Sequence, residues 1–243
     1  NLARGAYFNG AAWKARGAEF SSETPDDNLR RMSELVERAI PYFEKAISIN
    51  PKLMPAYTGM IDMGKLDSRP RLVREAIRQA ERLDPACPEL ARMRMHALQP
   101  RWGGSYEEML AYSNQLATYL DRRPQLAIYT GKPYADRGDR LIADDQYTRQ
   151  TAEILEIAIK AGSDEDALRD AANVAMNLED GDPDRWKGLA YLLQEERFGE
   201  TNAWGKRMIA WELVQREPEW SLRYSQRAVE LDADKGFGHY LLA

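Results

Sequence analysis

The stretch AISINPKLMPAY at residues 46–57 returns, altered but in register, as AERLDPACPELA at residues 80–91. Ala46 is answered by Ala80, Ile49 by Leu83, Asn50 by Asp84 and Pro51 by Pro85, an interval of 34 residues. In each copy an apolar, helix-forming run meets a short polar side chain and then a proline. Proline has no amide hydrogen and cannot continue a helix, so both runs are expected to end at the same point. One helix ending written twice at a fixed interval is the mark of a helical repeat.

Outward from these copies, apolar residues keep helical spacing. Met32, Leu35, Val36, Ala39, Ile40, Phe43, Ala46 and Ile47 form one stripe. Leu72, Val73, Ala76, Ile77, Ala80 and Leu83 form the next, and Ile154, Leu155, Ala158 and Ile159 a third. Sustained alternation of period two is missing, so no strand is expected. Starts are marked as clearly as ends. Thr24-Pro25-Asp26-Asp27 places a capping hydroxyl before a proline and two acids. Ser105-Tyr106-Glu107-Glu108 is a capping box, Ser163-Asp164-Glu165-Asp166 resembles one, and Asp182-Pro183 repeats the cap-then-proline device. Helices are expected near 4–17, 27–49, 52–65, 69–83, 87–99, 105–121, 124–137, 145–161, 164–178, 183–196, 202–216 and 219–231, with a last one from about 236. The longer breaks fall at 18–26 and 137–145. Short links between helices of this length predict antiparallel pairs in one continuous array, 1–243.

The offsets carry a resemblance. Ala39, Phe43, Ala46 and Pro51 follow the small, aromatic, small and helix-ending pattern in the second helix of a tetratricopeptide repeat. Val73, Ile77, Ala80 and Pro85 fill the same offsets, and Tyr57 stands where that family places an aromatic in the next first helix. The chain therefore resembles tetratricopeptide-repeat proteins, best over 35–98 and more weakly over 219–243. The resemblance implies an all-α array of helix pairs, an α-α superhelix, that binds a peptide or protein on its concave side. Ala228 lies 148 residues after Ala80, not a multiple of 34, so repeats of other lengths are expected between. The segment Pro100-Arg101-Trp102-Gly103-Gly104-Ser105 resembles part of an uncharacterised bacterial domain of unknown function, which implies a bacterial source and brings no activity with it.

Composition narrows the classes. Of 243 residues, 44% are apolar and 30% charged, with a formal charge of −5. That balance argues against non-specific nucleic-acid binding, which needs a basic surface. No apolar run approaches the ~20 residues of a membrane-spanning helix. Cys87 is the only cysteine, so no internal disulfide is expected. The chain opens on Asn1 and stops within the apolar pattern GHYLLA, as a processed or trimmed protein would. The cytoplasm is the expected compartment, with the periplasm as the alternative.

No motif for a cofactor or metal is present. His96 and His239 lack a second ligand at metal spacing, and the glycines of PRWGGS are not followed by the Gly-Lys-Ser/Thr of a phosphate loop. The candidate contact residues are aromatic and basic. Arg101 and Trp102 occupy the PRWGGS corner, and Tyr134 lies in a segment mixing aromatics, charges and glycines. Trp204 and Trp211 share a helical face with Met208, and Arg197 and Arg207 frame it. Arg, Trp and Tyr dominate binding hot spots. The same side chains can equally serve as a corner plug and as packing between helix pairs. The expectation is a non-catalytic interaction module: an immunity, adaptor or chaperone-like protein. The alternative is a hydrolase acting on carbohydrate or peptidoglycan through paired acids such as Asp144-Asp145, Glu195-Glu196, or Asp180 with Asp182.

Overall fold

Ala39, Phe43 and Ala46 repeat every third or fourth residue, and such a stripe is stable only when another element covers it. The computed structural model, which describes residues 1–19, 21–162, 164–179 and 181–240, shows how it is covered. Every regular element among the described residues is helical. The chain forms two units, Asn1–Tyr129 and Thr130–Ala243. Both are built from adjacent antiparallel helices in the tetratricopeptide-like manner.

The first unit contains α1 (Leu2–Arg16), α2 (Asp26–Ile49), α3 (Met54–Leu66), α4 (Pro70–Leu83), α5 (Pro88–Ala97) and α6 (Tyr106–Ala117). A 3-10 turn at Pro100–Trp102 joins the last two. Helix α1 packs on α2 and α3 on α4, while α3 also lies against α1 and α5. The buried residues of α2 are Met32, Val36, Ala39, Phe43 and Ala46, the face its sequence prescribes. Phe43 decides how closely the pairs approach. A Cβ added at Gly5 would come 2.8 Å from its ring, and one at Gly59 would come 2.5 Å from it. Helices α1 and α3 each omit a side chain where the ring enters. Burying such a ring contributes about 1.5–3 kcal/mol.

The second unit contains α8 (Lys132–Ala143), α9 (Arg149–Ala161), α10 (Glu165–Met176), α11 (Lys187–Phe198), α12 (Ala203–Leu213), α13 (Pro218–Leu231) and the short α14 (Gly236–Tyr240). A four-residue helix α7 (Ala127–Thr130) precedes them. Helix α8 pairs with α9, α10 with α11 and α12 with α13. Leu155, Ala171 and Val174 form one buried cluster, and Ala172, Met176, Leu192 and Ile209 another.

Several expectations shift. The helix expected at 124–137 is a 3-10 turn at Pro124–Leu126, then α7, and the chain breaks at Gly131 rather than over 137–145. A Cβ on Gly131 would run into the carbonyl oxygens of Ala158 and Gly162, so the end of α9 occupies that point. Gly138 is no break either, since it lies inside α8 where Leu155 presses against its bare backbone. Helix α2 starts at Asp26 with Pro25 as the capping position, so Thr24 is not its cap. Helix α11 begins at Lys187 rather than 183, because Asp182 accepts from the Asp184 amide and holds a turn there. Ser105 does cap α6, and Glu108 answers the Ser105 hydroxyl rather than its amide. Ser163 and Asp180 lie outside the described residues, but Asp164 caps α10 through the Ala167 amide.

Polar contacts keep the period even where the apolar pattern blurs. Ser33 bonds Asp67 at a separation of 34 residues, Arg69 meets Glu37 at 32, and Lys65 meets His96 at 31. In the second unit Thr130 reaches Ala161 at 31, Lys132 reaches Asp164 at 32, and Arg149 reaches Asp182 at 33. In both units some ties thus span about one helix pair, while the helix starts at Met54, Pro88, Lys132, Glu165 and Ala203 show that the pairs differ in length, as expected. No helix among the described residues is long and apolar enough to cross a membrane.

Candidate functional site

Asp62 and Lys65 stand three residues apart and so share one face of α3. Because α3 lies between α1 and α5, that face meets Trp13 from one side and His96 from the other. Trp13 donates from Nε1 to Asp62 Oδ2 at 2.8 Å. Lys65 Nζ lies 2.9 Å from Asp62 Oδ1 and 2.9 Å from His96 Nδ1. Trp102, held by the 3-10 turn, donates from Nε1 to His96 Nε2 at 3.0 Å. Nζ also sits 4.8 Å and 4.9 Å from the ring centres of Trp13 and Trp102. The guanidinium of Arg16 covers the Trp102 ring at 5.3 Å and donates to the backbone oxygen of Glu19. The Lys65 side chain keeps 2% of its exposure.

The protons in this chain of contacts are constrained. An indole N–H can only donate, so Nε2 of His96 accepts. A neutral imidazole has one N–H, which then sits on Nδ1 and points at Lys65 Nζ. An ammonium has no lone pair to receive it, whereas a free amine has one. A neutral lysine amine, accepting from His96 and donating to Asp62, would satisfy that pattern. The two indole faces and Asp62 favour the ammonium instead. Protonation of Lys65 is thus set against one of the bonds of His96. Burial lowers the pKa of Lys65, Asp62 opposes this, and Arg92 and Arg101 add to it. Burial, followed by the basic groups Lys65, Arg101 and Arg92, pushes His96 down to about 4.

Two hollows flank this network. A groove of about 450 Å³ runs along α1, α3 and α5, with Asn9, Thr58, Asp62, Glu89 and Arg92 on its walls. A cleft of about 540 Å³ lies among the end of α3, α4 and the Pro100–Trp102 corner. Val73, Ile77 and Leu98 supply apolar wall, and Arg69, Arg74 and Arg101 supply charge.

Of the residues singled out from sequence, Arg101 and Trp102 both line this cleft. Tyr134 is half-buried against the cluster of Ala135, Ala158 and Ala167. Trp204 and Met208 pack into the second unit's core beside Leu192 and Ile209. Trp211, on the same helix, is 45% exposed. Arg207 is largely covered and lies 3.5 Å from Asp232. Arg197 is exposed and bonds Gln194. The expected aromatic face therefore divides, one tryptophan facing the core and one the solvent. Trp13, Asp62, Lys65 and His96 are the functional candidates that sequence reasoning missed. The repeat register was a signal for Lys65 and His96, 31 residues apart, but not for Trp13, which lies 49 residues from Asp62.

Of the paired acids, Glu195 and Glu196 are internally answered. Glu195, buried, accepts from Arg169 Nε at 3.0 Å and from the Thr201 hydroxyl at 2.8 Å. Glu196 holds Lys206 at 2.7 Å. Asp170 is pushed up to about 6 by burial first and then by Asp139 and Asp166.

No family model matches the chain, and no curated protein matches it. Among solved structures the chain is similar to PilF of Pseudomonas aeruginosa. The likeness covers 98% of this chain and 96% of that one, at 13% identity and a TM-score of 0.50. At that identity the likeness concerns the fold: both chains arrange their helices in a tetratricopeptide-like way.

Proposed function

We propose that the protein is a non-catalytic interaction module that binds a peptide or protein partner on a surface formed by the first helices of successive pairs. The observation that carries this reading is the side-by-side packing of α1, α3 and α5 along one groove. Stacked helix pairs present such extended surfaces, and partners lie along them. The groove mixes Asn9, Glu89 and Arg92 with aliphatic wall, as a peptide backbone and its side chains require. Adaptor, immunity or chaperone-like roles are the forms this activity would take, on the strength of fold analogy.

Site-specific photo-crosslinking tests the reading. A benzophenone amino acid at Asn9 or Arg92 should give the same discrete adduct in cells, and one at Glu34 on the outer helix α2 should not. Adducts only from Glu34, or none at all, would remove the proposal. The hydrolase alternative draws no comparable support. Glu195 and Glu196 are committed to Arg169, Thr201 and Lys206, which leaves neither poised for acid–base work.

A further inference from the structure

We propose that the cleft between α4 and the Pro100–Gly104 corner receives an acidic segment of a protein partner, with an apolar side chain on its floor and a carboxylate at its basic rim. The inference rests on the interaction-module reading and gives one site its chemistry. Val73, Ile77 and Leu98 line the cleft and are each only partly buried, so they leave apolar surface for an incoming side chain. The cleft's 540 Å³ falls within the range of ordinary ligand pockets, roughly 300–1,000 Å³.

Charge selects the occupant. The lining carries Lys65, Arg69, Arg74 and Arg101 against one acid, Glu108. Lys65 is answered by Asp62, and Arg69 by Glu37 and Asp67. Glu108 is engaged with the Ser105 hydroxyl. Arg74 is exposed and makes no ion pair among the described residues, and Arg101 adds positive charge to the same rim. The field reaches inward, since Arg101 helps to lower the pKa values of Arg16, Lys65 and His96. Guanidinium groups meet carboxylates through paired N–H donors, which a lysine cannot do. A nucleic acid would satisfy the arginines but not the aliphatic floor, and the chain's net charge of −5 disfavours it. Trp102 forms part of the wall and is fixed by His96, so the cleft needs little ordering on binding.

The test is fluorescence anisotropy on the full chain with three labelled decapeptides: alternating Glu and Leu, alternating Lys and Leu, and alternating Glu and Ser. The Glu/Leu peptide should bind at least tenfold more tightly than either of the others. Arg74→Glu combined with Arg101→Glu should weaken it at least tenfold, with helical content and urea midpoint unchanged. Equal binding of Lys/Leu, no binding of Glu/Leu, or indifference to the double substitution would each overturn the proposal. Arg31→Glu, exposed on α2 and outside both hollows, should leave Glu/Leu binding intact. If Arg92→Glu, in the groove of α1, α3 and α5, abolishes binding and the double substitution does not, the interaction module stands and this cleft falls.

Discussion

Trp102 donates its indole hydrogen to Nε2 of His96 at 3.0 Å, and this one bond fixes where the histidine keeps its own proton. The tautomer follows, with hydrogen on Nδ1. Nitrogen NMR of labelled protein should show His96 as the Nδ1–H form at pH 7. Its titration midpoint should lie near 4 rather than 6.5. Trp102→Phe removes the donor and opens the site, so the midpoint should move up. An Nε2–H tautomer in the native protein would contradict the bond pattern.

Stability should respond to acid through His96. Its folded pKa, about 4, lies below the unfolded value of 6.5, so the unfolded chain takes up the proton first. The stabilising contribution is complete above pH 6.5 and is lost as pH falls toward 4. His96→Gln should flatten this part of the urea-midpoint profile.

Asp170 works in the opposite sense. Its folded pKa of about 6 lies above the usual 3.8, so the folded state holds the proton and ionisation is a cost. That cost is full above pH 6 and vanishes below pH 3.8. Asp170→Asn should therefore stabilise the protein at pH 7 and give no advantage at pH 3.5. A variant less stable at pH 7 would show that Asp170 earns its place as an anion.

Phe43 and Gly59 should behave as one unit. Phe43→Ala should cost about 3–5 kcal/mol in urea unfolding, as large core truncations do. Gly59→Ala should also destabilise, because overpacking costs about 1–3 kcal/mol and outweighs the ~1 kcal/mol that alanine gains in a helix. In a Phe43→Leu background the Gly59→Ala cost should shrink, since the ring that blocks Cβ is gone.

Arg169 and Glu195 should be unequal when broken. Arg169→Met leaves a buried carboxylate with the Thr201 hydroxyl alone, and removing one partner of a buried pair costs about 3–5 kcal/mol. Glu195→Gln should cost less, because Arg169 is 29% exposed and also reaches Asp166. Thermal unfolding of the two variants decides the order.

These contrasts show what a sequence can carry. Ala39, Phe43, Ala46 and their echoes were legible because packing between neighbouring helices obeys a local period, and a ring between small residues has one use. Gly138 misled because a glycine that admits Leu155 and a glycine that breaks a helix are written alike. Trp204 and Trp211 share a helix and a periodic face, yet only Trp204 packs against the buried cluster of Ala172, Met176, Leu192 and Ile209. The network of Trp13, Asp62, Lys65, His96 and Trp102 joins four separate segments. Its Trp13–Asp62 step spans 49 residues and its Lys65–His96 step 31. Only the lateral order of the helices brings them together.

Several polar ties span about one helix pair, and this has a mechanical consequence. Each links segments about one helix pair apart, as Ser33 does with Asp67 and Arg149 with Asp182. Loop-closure entropy is then nearly equal from one tie to the next, and neighbouring pairs can detach in turn. Stretched in an optical trap, the molecule should lengthen in a sawtooth. Successive teeth should be separated by the contour of about 32 residues, on the order of 110 Å of extended chain.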